Sequence, residues 1–320
     1  MGLGMLVDGR WVKEREQEDP QGRFLRPSTT FRQRITADGS SGFPAEGDRY
    51  HLYISLACPW AHRTLLMRQI KGLEDAISLS VVDPEMLDEG WVFSEGPGCI
   101  PDTVNGSQYL REVYLKADPQ FTGRVTVPIL WDKQTGTIVN NESREIIRML
   151  DREFGAIARH AIDLCPPELE AVIDQTIDAI YQPINNGVYR AGFATQQAAY
   201  EEAVTELFDA LDHWDAVLQN QRYLCGDVLT EADLCLFTTL VRFDPVYHGH
   251  FKCNLRRIAD YPNLGNYLKD LYQRPAIGET CNLDHIKRHY YRSHPKVNPT
   301  QIVPKGPILD WDSPHDRDRF

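Results

Sequence analysis

At 320 residues with 42% hydrophobic side chains, the chain exceeds a minimal domain and can fill packed cores, which excludes wholesale disorder and suggests two domains. Its charge, 34 basic against 46 acidic residues, sums to −12, a field that excludes broad binding to a phosphate backbone; no nucleic-acid partner is expected. Seven cysteines with no Cys-x-x-Cys pair exclude a disulfide framework and finger-type zinc sites, and fit a reducing, cytoplasmic compartment. No secretory signal and no apolar run long enough for a membrane span is present, so no membrane partner is expected, and Gly2 heads only a weak myristoylation match because Leu6 stands where Ser or Thr belongs.

Residues 1–48 are polar, without long apolar periodicity, and read as an extended arm, either disordered or strapped to the body through Phe24, Phe31 and Ile35. Tyr50 to Ser55 reads as a strand. Pro59 then suits the first position of a helix running to about Lys71, with Gly72 after its end. Ile77 to Val82 is a second strand and Gln108 to Leu115 a helix. Thr126 to Trp131 and Thr137 to Asn140 form a strand pair about Gly136. Asn141 is placed to cap a helix with Ile146, Ile147 and Leu150 on one face. The order β-α-β-α-β-β-α is that of a thioredoxin-like domain, assigned here to 49–155. An all-α domain follows over 166–286, with helices at Leu169–Ile184, Gln196–Gln219 and Ala232–Phe243. One carries the stripe Ala203, Leu207, Ala210, Leu211, Trp214 and Leu218, and another opens on Thr230 and Asp233 as a capping box, with Leu229 as a hydrophobic staple. A tail of little periodicity, 287–320, is expected to pack near the active site.

Six cysteines sit in bland contexts; Cys225, Cys235 and Cys281 read as buried packing residues. Cys58 differs. It stands at a strand-to-helix junction, where unsatisfied N–H groups and the positive end of the helix dipole stabilise a thiolate. Arg63, one turn later, adds positive potential. Position 61 is Ala61, so a mixed disulfide at Cys58 has no neighbouring thiol to resolve it, and the second thiol must come from outside. Glutathione is the abundant candidate. Two further elements fit it. Val127-Pro128 matches the cis proline that faces the cysteine in thioredoxin-like folds, where the preceding residue pairs with an extended peptide. Glu142-Ser143, at a helix start, offers N–H groups and a hydroxyl to the γ-glutamyl carboxylate, and a carboxylate to its ammonium.

At Cys58-Pro59-Trp60-Ala61-His62-Arg63, Gly90-Trp91-Val92-Phe93, Val125 to Asp132, Asn140 to Ser143, Ile184 to Tyr189, Phe243 to Tyr247 and Tyr290 to His294, the chain resembles the glutathionyl-hydroquinone reductases, the xi class of glutathione transferases. The resemblance covers nearly the whole chain. It implies an enzyme that removes glutathione from S-glutathionyl-hydroquinones, yielding hydroquinone and oxidised glutathione, with glutathione as co-substrate and no metal. It also implies that Trp91, Val127, Glu142 and Ser143 hold glutathione, with Arg124 near its glycine carboxylate. Tyr189 and Tyr290 line the quinol pocket together with Pro59 and Trp60, and Tyr291 stands as an alternative to Tyr290. A homodimer through the helical domains follows from the same resemblance.

The chemistry gives the tyrosines a reason of their own. Thiolate attack on the sulfur of an aryl thioether must expel carbon, and an aryl carbanion is too unstable to leave. If the hydroquinone first ketonises, the leaving group is an enolate, and a phenolic donor stabilises its oxygen. Three other readings compete. An omega-like thiol transferase or dehydroascorbate reductase shares the cysteine chemistry. A non-enzymatic scaffold needs no nucleophile. A conjugating transferase relies on Ser or Tyr to activate glutathione. His248, His250 and Cys253 have the spacing of no standard metal site.

Overall fold

The computed structural model describes residues 4–13 and 18–320, so Gly2 lies outside the described residues. In chain order the elements are β1 (Gly4–Val7), β2 (Arg10–Lys13), β3 (Tyr50–Ile54), α1 (Pro59–Ile70), β4 (Ile77–Val81), α2 (Leu110–Ala117), β5 (Ile129–Asp132), β6 (Thr137–Asn140) and α3 (Ser143–Arg152). They continue with α4 (Glu170–Ile180), α5 (Gly187–Gly192), α6 (Gln197–Leu218), α7 (Glu231–Arg242), α8 (His248–His250), α9 (Pro262–Tyr272), α10 (Pro275–Gly278) and α11 (Leu283–Ser293). The chain divides into two compact units. The first takes residues 4–13, 27–162 and 282–294, and the second 18–26, 163–281 and 295–320.

The first unit is built on a sheet of order β4-β3-β5-β6, with β3 parallel to β4 and antiparallel to β5. Every residue of β3 is buried, as a strand covered on both faces requires. Tyr50, Leu52, Tyr53 and Ile54 pack there beside a polar pair of rungs. His51 Nε2 lies 2.9 Å from Ser80 Oγ and Nδ1 2.7 Å from Ser78 Oγ. Ser80 spends its proton on the Pro101 carbonyl at 2.9 Å, so Nε2–H must donate to Ser80 and Nδ1 must accept from Ser78. The ring is thereby held neutral, and burial pushes its pKa down to about 4.

The arm reading of the N-terminus changes. β1 and β2 form an antiparallel hairpin over Asp8-Gly9, both at positive φ, a two-residue turn whose Asp-Gly signal the sequence carries. Leu6 bridges to Gly123, which adds this hairpin to the first unit. The tail reading changes too. Periodicity continues past Lys287, and α11 runs to Ser293, capped by Asn282 Oδ1 accepting from His285 N at 2.9 Å. Ser293 Oγ accepts from Met86 N at 2.9 Å and His285 Nε2 lies 2.7 Å from the Pro97 carbonyl, so α11 packs on the first unit despite its distance in sequence.

In the second unit, α6 buries Ala203, Leu207, Leu211, Trp214 and Leu218, while Ala210 is half-buried at the edge of the stripe. The helix expected over Leu169–Ile184 stops being α-helical at Ile180, and a π-turn covers Tyr181–Asn185; a second follows α7 at Phe243–Tyr247. Each contains a proline, Pro183 or Pro245, whose missing N–H and ring crowd the preceding turn and widen it. Cys235 is buried, but Cys225 and Cys281 are half-buried, less enclosed than their helical contexts implied. Among the described residues no helix is long and apolar enough to cross a membrane.

Candidate active site

Cys58 is the N-cap of α1, in extended conformation (φ −78°, ψ 122°), with Pro59 at the first helical position. Its carbonyl accepts the first helical bond from His62 N at 2.9 Å, and its N–H donates to Ser55 O at 3.2 Å. The thiol is half-buried, with Sγ 3.7 Å from the carbonyl oxygen of Val127. The first turn of α1 holds no acidic residue to oppose a thiolate. The Val127-Pro128 peptide is cis, as the thioredoxin-like reading expects, and both residues are buried.

Arg63, almost fully buried, connects this junction to the start of α3. Its guanidinium carbon lies 4.4 Å from the Trp60 ring centroid, and Nη1 donates to Ser143 Oγ at 3.4 Å. The cap of α3 is Glu142 rather than Asn141. Asn141 is committed elsewhere: Oδ1 accepts from Phe31 N at 3.1 Å and Nδ2 donates to Tyr114 OH at 3.1 Å. Glu142 therefore takes the cap, with Oε1 accepting from Arg144 N at 3.3 Å and Oε2 accepting from Thr29 Oγ1 at 3.2 Å.

Sequence reading missed Tyr114. This buried phenol donates to Thr126 O at 3.0 Å, accepts from Thr126 N at 3.2 Å and accepts from Asn141. It ties the strand entering Val127 to the residue before Glu142, and burial raises its pKa. Its only sequence signal is a tyrosine on the buried face of an amphipathic helix, indistinguishable from a core aromatic.

Trp91 is buried and stacks on His289, with ring centroids 5.0 Å apart and planes at 17°. His289 Nδ1 lies 2.8 Å from Pro84 O, which only an Nδ1–H can satisfy. Tyr290, 1% exposed, stands edge-on to His289 and His294, whereas Tyr291 is half-buried and burial raises its phenol pKa. The first unit thus holds Cys58, Pro59, Trp60, Trp91, Val127, Glu142, Ser143, Tyr290 and Tyr291, with a half-buried Arg124. His289 and Thr29, which contact three of these, were not singled out from sequence. Tyr189 belongs to the second unit. There its buried ring meets Phe193, Tyr247 and Phe251 at centroid distances of 6.1, 6.0 and 5.6 Å, and the Arg26 guanidinium lies over it at 4.8 Å.

A cysteine at a helix start, a cis proline beside it and a second helix start carrying Glu-Ser, followed by an all-α unit, define a glutathione transferase. The Glutathione S-transferase N-terminal domain family matches residues 57–153, and the C-terminal domain family matches 197–270. The glutathionyl-hydroquinone reductase YqjG of Escherichia coli is 53% identical over 99% of both chains, and its glutathione-bound structure gives a TM-score of 0.92 across 99% of this chain and 100% of that one. The glutathionyl-hydroquinone reductase PcpF of Sphingobium chlorophenolicum is 52% identical, covering 95% of this chain and 96% of its own. A xi-class transferase from Natrialba magadii is 57% identical with a TM-score of 0.94, covering 99% and 97%. The chain belongs to the glutathionyl-hydroquinone reductases, the xi class of the glutathione transferases.

Proposed function

We propose that the protein reduces S-glutathionyl-hydroquinones to hydroquinones with Cys58 as nucleophile, and that it works in the cytoplasm as a homodimer joined through its helical domains. The observation that carries the reading is Cys58 at the N-cap of α1, facing the Val127 carbonyl, in a chain more than half identical to two such reductases over nearly their full length. The Val127 backbone pairs with the cysteinyl part of glutathione. Glu142 and Ser143 take its γ-glutamyl end. Trp91 and Arg124 hold the remainder.

The substrate ketonises at the sulfur-bearing carbon. The Cys58 thiolate then attacks the glutathione sulfur, an S–S bond forms, the C–S bond breaks, and its electron pair leaves as an enolate. Tyr189 and Tyr290 donate to that oxygen, with Pro59 and Trp60 beside the ring and Tyr291 further out; protonation yields the hydroquinone. A second glutathione, as thiolate, attacks the mixed disulfide, releasing Cys58 and oxidised glutathione. The two electrons that reduce the carbon come from the two glutathione sulfurs, the substrate's and the second glutathione's, which end joined as oxidised glutathione, while Cys58 is regenerated.

Cys58→Ala is expected to abolish hydroquinone release from a glutathionyl-hydroquinone, and mass spectrometry of the wild type to find one glutathione adduct, on Cys58. Retained turnover overturns the assignment. Faster turnover of dehydroascorbate than of any glutathionyl-hydroquinone favours the omega-like reading instead.

A further inference from the structure

We propose that Arg26 is a positioning residue for this reaction, acting through Tyr189: its guanidinium, laid on the phenol ring, strengthens that hydroxyl as a proton donor to the departing quinol oxygen. The inference rests on the reading of Tyr189 as a donor. Arg26 sits on the segment 18–26, which the second unit fixes at several points. Asp19 Oδ1 accepts from Gln21 N and Arg23 N, both at 2.9 Å, and shapes the turn. Gly22, at φ +74°, accepts from Thr195 N at 3.1 Å; a Cβ there would lie 2.7 Å from Thr195 Oγ1. Arg23 pairs with Glu202 at 3.0 Å, and Phe24 packs on Phe193 with centroids 5.4 Å apart.

Arg26 is thus delivered to Tyr189 by a pinned backbone. Its Nε donates to Asn186 Oδ1 at 2.8 Å, three residues before Tyr189, and its guanidinium carbon stands 4.8 Å from the tyrosine ring centroid. Asn186, the N-cap of α5, and Tyr189 are three residues apart, a spacing that sets them on one helix face. The rings described around it are those of Tyr247, which is titratable, and of Phe193 and Phe251, which are not. Arg190, next in sequence, is paired with Glu202 and Glu206 of α6, which neutralises it.

A cation on the π face of a phenol favours the phenolate over the phenol. It therefore makes the hydroxyl a better acid. Removing the cation has two effects of opposite appearance. The donor weakens, so turnover falls. Its ionisation moves to higher pH, so the alkaline limb of the rate profile moves up. General damage to the fold produces the first effect and not the second.

The test follows hydroquinone release against pH in the full-length enzyme, with glutathione saturating, for Arg26→Gln, Arg26→Lys, Tyr189→Phe and the Gln/Phe double variant. Arg26→Gln is expected to lose about tenfold in turnover and to shift the alkaline limb up by about one pH unit. Arg26→Lys keeps the charge and is expected to restore the limb. The double variant is expected to be no slower than Tyr189→Phe alone, because both changes act on one hydroxyl. Arg26→Met, which keeps the aliphatic stem, repeats the measurement if the Gln variant melts early. An unmoved limb in an uncharged variant, or additive losses in the double variant, overturns the proposal. Unchanged turnover in Tyr189→Phe overturns instead the reading of Tyr189 on which it rests.

Discussion

Among the helix starts that carry an acidic side chain, those of α7 and α3 differ most plainly in how far the carboxylate is engaged. At α7, Asp233 is fully buried and receives four donors: Leu224 N and Tyr267 OH on Oδ1, Thr230 N and Thr230 Oγ1 on Oδ2, all at 2.8–2.9 Å. Burial nevertheless raises its pKa, which shows how much desolvation those bonds must offset. At α3, Glu142 is half-buried and its oxygens accept from Arg144 N and Thr29 Oγ1 at 3.3 and 3.2 Å, longer and fewer contacts. A saturated buried cap serves the fold; a lightly engaged, open one retains acceptor capacity for a ligand. The thiols differ in setting. Burial pushes the Cys253 thiol far up and that of Cys281 up to about 12 although Cys281 is only half-buried, whereas Cys58, equally half-buried, heads a helix.

The thiols give the largest test of this contrast. Iodoacetamide at neutral pH is expected to alkylate Cys58 at least about a hundredfold faster than Cys281 or Cys253, read by peptide mass spectrometry; equal rates would remove the distinction. Next, Asp233→Ala strands four buried donors and is expected to cost about 3 kcal/mol in urea unfolding. A loss below about 1 kcal/mol would mean that water replaces the carboxylate. The polar rungs of the sheet supply the third. The folded pKa of His51, about 4, lies below its ordinary value of 6.5, so the unfolded chain takes up the proton first. Its share of stability is complete above pH 6.5 and is lost as pH falls through 4, about 3 kcal/mol in all. Unfolding at stepped pH measures it, and His51→Gln should flatten the slope. The smallest effect belongs to Glu142→Gln, expected to raise the KM for glutathione about tenfold with little change in melting temperature. A large drop in melting temperature with unchanged KM would place Glu142 with Asp233.

Much of this was legible in the residues. Cys58-Pro59 at a strand-to-helix junction, the capping box Thr230 to Asp233 and the α6 stripe are local patterns, and local patterns survive in sequence because they act over a few residues. The misreadings have physical causes. Asn141 is a better generic N-cap than Glu142, but Phe31 N and Tyr114 OH, 110 and 27 residues away, had already claimed it. The helix read as α-helical through Pro183 to Ile184 turns to π-geometry at Tyr181, and a second π-turn at Phe243–Tyr247 holds Pro245 just past the helix read to Phe243, because a proline widens the turn where the chain stays helical. The Asp8-Gly9 hairpin was hidden in a polar segment too short to show periodicity.

The sequence by itself determined the residue pattern: a thiol at a helix start, Ala61 three residues on, and a proline and Glu-Ser further along the same unit. Those are matters of residue type and short spacing. Tertiary structure decided which groups surround them. His289 reaches Trp91 from 198 residues away, Tyr114 pins two loops, and Arg26 lies on Tyr189 from 163 residues away. Such contacts are set by packing between distant segments, whose side chains carry no mark of their eventual neighbours.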